Sequence, residues 1–137
     1  KHLSSHNNCL VLITSRSQKD RDFINSKIKD QNNIRFLEKA VDGLELVNAA
    51  DIVFSGGGTM NRESALLGTK TYDIFTGKSP YLDEYLEEMG RLKFITTNAE
   101  IKNINVERVK SKEPYPFNKN IVQEVTDVIL EKAGLLK

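Results

Sequence analysis

A chain of 137 residues has the length of one domain and leaves little room for a second. Twenty Lys and Arg against 19 Asp and Glu leave a net charge of +1, which argues against a nucleic-acid or membrane field spread over the whole surface. No apolar run approaches the ~20 residues that span a bilayer, the polar start Lys1–Asn8 lacks the apolar stretch of a secretory leader, and the single Cys9 excludes an intramolecular disulfide, so the cytoplasm is the expected compartment.

Residues 1–8 read as a linker or frayed end, and residues 9–137 as the folded domain. Cys9–Thr14 is a short apolar run that predicts a buried strand, with Cys9 as a core thiol. Lys19–Gln31 follows with helical spacing of Phe23, Ile24 and Ile28. A second strand is expected at Ile34–Leu37, a short helix at Gly43–Ala50, and a third strand at Asp51–Ser55. Thr59 opens a helix to about Leu67, stopped by Gly68. Lys70–Phe75 reads as a fourth strand, and Pro80–Met89 as a helix that starts on a proline and ends at Gly90. Leu92–Ile95 is the fifth strand, and Asn98–Lys110 fits neither period. Glu113–Phe117 holds two prolines in three residues, which predicts an extended crossing loop. Asn118–Ala133 closes the chain as a helix with Ile121, Val122, Val125, Val128 and Ile129 on one side. Strands alternating with helices predict α/β architecture: a Rossmann-like, doubly wound parallel sheet of about five strands. Ligands of such folds sit beyond the carboxyl ends of the strands, which directs attention to Thr14–Lys19, Ser55–Thr59 and Thr76–Ser79.

The loop Ser55-Gly56-Gly57-Gly58-Thr59 joins a strand to a helix. One glycine suffices for a tight turn. Three in a row let a ligand approach the backbone amides at a helix start, where the dipole favours an anion. The expected ligand of Gly56, Gly57, Gly58 and Thr59 is therefore a phosphate or diphosphate. The dinucleotide fingerprint is not met, because Asn61 stands where its third glycine belongs and the loop follows the third strand. Gly77-Lys78-Ser79 resembles the end of a P-loop, but Tyr72 occupies the position of the first glycine. Lys78 reads either as a single charge that reaches an anion or as a solvated loop lysine. Arg16 reads as a planar fork for a diphosphate or as a solvated loop arginine. Glu63 lies four residues after Thr59, one too many for a capping box. It reads as an acceptor for the two hydroxyls of a ribose or as an exposed helix glutamate. No His, Cys and Asp cluster has metal-ligand spacing, so no metal or cofactor is expected.

The stretch Ala50-Asp51-Ile52-Val53-Phe54-Ser55-Gly56-Gly57-Gly58-Thr59-Met60-Asn61-Arg62-Glu63-Ser64-Ala65-Leu66-Leu67-Gly68-Thr69 resembles the prokaryotic family called domain of unknown function 354, with Lys70 where that family expects proline. Phe75-Thr76-Gly77-Lys78 and the Asp83, Tyr85, Leu86, Gly90 pattern add to the resemblance, which covers residues 9 to about 95. That family in turn resembles the GT-B glycosyltransferases and the UDP-N-acetylglucosamine 2-epimerases. The resemblance implies two Rossmann-like domains, of which this chain is the C-terminal one. It implies a nucleotide-sugar donor, with uridine as the base, its diphosphate on the glycine loop and its ribose on Glu63, five residues before Gly68. It implies an absent N-terminal domain as partner and source of catalytic groups, none of which is assigned here, and a closing helix that crosses back to that domain. The expected parent activity is glycosyl transfer. The alternatives are a 2-epimerase, whose first strand ends in a histidine where Thr14-Ser15-Arg16 stands here, and a non-catalytic nucleotide-binding module.

Overall fold

Each predicted strand forms, and all neighbouring strands run parallel. The structure is a computed structural model that describes residues 2–15, 17–28 and 32–135. It begins with a 3-10 turn at Leu3–Ser5, fastened by Asn33, whose Nδ2 donates to the carbonyls of Ser4, His6 and Cys9. Then follow β1 (Val11–Ile13), α1 (Gln18–Lys27), β2 (Ile34–Phe36), α2 (Gly43–Ala49), β3 (Ile52–Ser55) and α3 (Thr59–Leu66). The chain goes on through β4 (Lys70–Asp73), α4 (Tyr81–Glu88), β5 (Leu92–Phe94), α5 (Asn98–Lys102) and α6 (Ile121–Lys132).

Local chemistry sets most of the helix ends. Ser17 accepts the Asp20 amide at the start of α1, and Asp42 accepts the Glu45 amide at the start of α2. Ile28 has extended backbone, so α1 stops before the Gln31 expected from its periodicity. The irregular stretch after Asn98 contains one helix, set by a capping box. Thr97 accepts the Glu100 amide, and the Glu100 carboxylate accepts the Thr97 amide at 2.8 Å.

The five strands make a Rossmann-like α/β fold, but they lie in two sheets instead of the expected one. β1 pairs with β2, and β3, β4 and β5 form a separate three-stranded sheet in that order. Between β1 and β3 lies a cavity of about 980 Å³, lined among others by Cys9, Leu10, Leu12, Ala50 and Met60. Cys9 is consequently half-buried rather than a core thiol. Burial raises its pKa, and the charge of Asp51 adds to the effect.

The apolar core sits under the three-stranded sheet, where Ala65, Leu86 and Leu92 pack together against Phe94. The crossing loop is neither helix nor strand and clasps this half from outside. Tyr115 donates its amide to Leu66 O at 2.7 Å, and Arg91 donates to Glu113 O at 3.0 Å. Gly68, at φ +78°, lies directly beneath, and a methyl group there would come within 2.6 Å of Glu113 O. Lys112 donates to Asn48 O, Ala50 O and Thr69 Oγ1. Burial lowers its pKa, and the charge of Asp51 opposes that shift. By contrast α6 has no buried residue, and Val122 and Ile129 are 76% and 61% exposed.

Candidate functional site: the glycine loop and its polar floor

β3 ends at Ser55, and the chain turns into α3 through Gly56, Gly57 and Gly58. Gly57 and Gly58 have φ of 85° and 92°, a region that side-chain-bearing residues rarely adopt. Gly58 is the N-cap of α3 and offers no side chain, so the first-turn amides have no side-chain acceptor. Three glycines and an uncapped start of an eight-residue helix make a concentration of donors at the positive end of a helix dipole.

Asp73 lies under this loop. It ends β4 beside Ser55 of β3 and is 1% exposed. Its Oδ1 accepts the Phe75 amide at 2.7 Å, which ties the next loop to the strand. Its Oδ2 has no partner among the described residues, and it stands 3.2 Å from where a methyl group on Gly57 would be. Asn61, in the first turn of α3, is fully buried, and neither atom of its amide has a partner among the described residues. One residue further, Arg62 bridges α3 to α4. Its Nε and Nη2 donate to the two oxygens of the buried Asp83 at 2.6 and 3.2 Å. The hydrogen bond to Asp83 holds the Arg62 pKa above its usual value. Burial works against it, and the charges of Asp83 and Asp73 work with it.

Of the residues singled out from sequence, Gly56, Gly57, Gly58 and Thr59 form one loop, as expected. Glu63 lies one turn beyond Thr59 on the same helix face. It is half-buried, and its carboxylate makes no hydrogen bond or ion pair among the described residues. Lys78 is exposed on the loop after β4. That loop starts against the glycines, since Phe75 Cβ lies 3.8 Å from the methyl position of Gly57. Arg16 lies outside the described residues. Asp73, Asn61, Arg62 and Asp83 were not anticipated as site residues. The available signal was Asp73 itself, a carboxylate at the carboxyl end of a strand, where ligand loops begin.

The chain matches the profile of the family described as "Protein of unknown function (DUF354)" over residues 1–134, so the match includes the closing helix as well as the central motif. It is 32% identical to the Uncharacterized protein MJ0665 of Methanocaldococcus jannaschii over 112 residues, 75% of this chain and 32% of that protein. It is 28% identical to the Probable ribosomal RNA small subunit methyltransferase A of Methanococcus maripaludis over 117 residues, 80% of this chain and 43% of that protein. The chain thus spans less than half the length of the curated relatives it matches. No solved structure matches it. The chain belongs to the DUF354 family.

Proposed function

We propose that this chain is the donor-binding half of a glycosyltransferase-like protein and takes a nucleoside-diphosphate sugar, with uridine as the base. One observation carries the reading: an uncapped helix start beneath three glycines, with an unpaired glutamate one turn further along the same face. The amides at Gly56–Thr59 would take the diphosphate and stabilise it as it departs from the anomeric carbon. Arg16 and Lys78 would add positive charge, and Glu63 would accept from the ribose hydroxyls. The partner in this proposal is an N-terminal domain of the same protein, which supplies the acceptor site and the catalytic groups. The exposed apolar side of α6 supports such a partner, because a surface of that kind calls for a cover. We place the protein in the cytoplasm.

Transfer is preferred to 2-epimerisation because Arg16, or Ser15, stands where the first strand of the epimerases that this half resembles ends in a histidine. His2 and His6 lie at the 3-10 turn, far in sequence from the glycine loop, and His2 Nε2 is 3.2 Å from Ile104 O. Moving a proton on and off carbon calls for a group that titrates near neutrality, which a leaving diphosphate does not.

Calorimetry with UDP and with pyrophosphate tests the assignment. Glu63→Gln should weaken UDP tenfold or more, since a charged hydrogen bond contributes about 1.5–3 kcal/mol. It should change pyrophosphate little. An equal loss for both ligands would remove Glu63 from the ribose. Gly57 is a poor probe of the loop, because its φ and the nearby Asp73 strain any side chain there. Gly56 faces open space with ordinary φ. Gly56→Val should therefore leave the fold intact and block both ligands, and unchanged affinity would refute the anion loop.

A further inference from the structure

Ser64 Oγ and Thr71 Oγ1 meet at 2.7 Å, which fixes how α3 lies on β4. Asn61 stands one turn nearer the start of α3 on the same face, and Asp73 two residues further along the same face of β4. Both therefore lie toward the same end of the α3–β4 contact, and Asp73 Oδ2 stands 3.2 Å from the methyl position of Gly57. The two side chains are 0% and 1% exposed. Both amide atoms of Asn61 and Oδ2 of Asp73 lack partners among the described residues, although buried polar atoms are paired as a rule.

The charge is unbalanced as well. The floor and its flank hold two carboxylates, Asp73 and Asp83, and one guanidinium, Arg62. Arg62 is committed to Asp83 through two hydrogen bonds, and Asp83 is fully buried. Asp73 keeps one hydrogen bond, from the Phe75 amide, and feels Arg62 without bonding to it, so its buried Oδ2 has no cation in contact. A water molecule would satisfy the polar atoms and leave that charge in place.

We propose that a monovalent alkali cation fills the space under the glycine loop, held by Asp73 Oδ2 and Asn61 Oδ1. Carboxylate and amide oxygens suit hard cations, and a single carboxylate matches the single charge of sodium or potassium. Magnesium demands near-ideal octahedral geometry and gives up its water reluctantly, which suits a buried pair of protein oxygens poorly. The ion neutralises Asp73 and adds positive charge beneath the amides of Gly57 and Gly58. It binds without any nucleotide, so its test is independent of the donor-site reading.

The test is thermal unfolding of the protein in sodium, potassium, magnesium and tetramethylammonium chloride at matched ionic strength. The midpoint should rise saturably by several degrees with sodium or potassium over tetramethylammonium, and Asp73→Asn should abolish the difference. Equal midpoints in all four salts overturn the site. So does a sodium or potassium response that survives in Asp73→Asn, and so does a larger response to magnesium than to either alkali ion. Should Asp73→Asn fail to fold, crystals of the unmodified protein soaked in a thallium(I) salt decide the matter. An anomalous peak in contact with both Asn61 and Asp73 is the expected result. Density without anomalous signal marks a water and refutes the cation.

Discussion

The β1–α1–β2 unit and the β3–α3–β4–α4–β5 unit are built from the same kinds of element and packed very differently. Every fully buried residue of the described chain lies between Val47 and Ile104, and the unit before it has none. In that first unit Phe23 is 64% exposed, on an α1 whose sequence QKDRDFINSK is mostly polar. In the second unit even the polar side chains of Asn61, Ser64, Thr71 and Asp73 are buried, and α3 and α4 are bolted together by an ion pair. The contrast teaches where precision resides. The glycine loop rises from the packed unit, with buried Asp73 beside Gly57.

The contrast can be broken most sharply at Arg62. Arg62→Met would leave Asp83 buried and unpaired, which costs about 3–5 kcal/mol. Urea denaturation should show a loss of that size, and one below about 1 kcal/mol would mean that the packed unit does not depend on this pair. A matched pair of truncations sharpens the comparison. Leu86, 2% exposed, should lose about 2–5 kcal/mol on change to Ala. Leu12, 45% exposed, should lose less than about 1 kcal/mol. Equal losses would mean that β1 packs as tightly as the core and that the two units are one.

The smallest expected effect concerns the rim of the packed unit. The Thr96 amide, then the hydroxyl and amide of Thr97, hold the Glu100 carboxylate below its ordinary pKa. A carboxylate whose pKa is depressed on folding contributes its stability above the unfolded value and loses it as pH falls through the folded value. The cap of α5 should therefore persist at neutral pH and weaken in acid. Glu100→Gln should lower stability at neutral pH and flatten that acid dependence. The same acid slope in both proteins would assign it to other carboxylates.

Much of the packed unit was legible in the sequence. The strands could be read from short apolar runs, and the glycines at 68 and 90 mark helix ends because φ of 78° and 69° suits no other residue as well. Gly57 and Gly58 were legible for the same reason. The capping box at Thr97 and Glu100 was not read from the sequence, although its spacing is there, and it settles the start of the ambiguous stretch. The division into two sheets was not legible. An apolar run such as Leu10–Ile13 has the same spacing whether its strand pairs on both edges or on one. The polar floor was hidden by the usual partition of residue types, since Asn61 and Ser64 look like an exposed helix face until the strand beneath supplies Thr71 and Asp73.

The clasp formed by Lys112, Glu113 and Tyr115 has a consequence in time. The contacts that build the glycine loop and its floor are near in sequence: Ser64 meets Thr71 seven residues away, and Arg62 meets Asp83 at 21. Lys112 reaches back 43 residues to Thr69 and 62 to Ala50. Closing a long loop costs more chain entropy than closing a short one, so the near contacts form first. The expected order is that the loop and its floor assemble first and the clasp then closes over them.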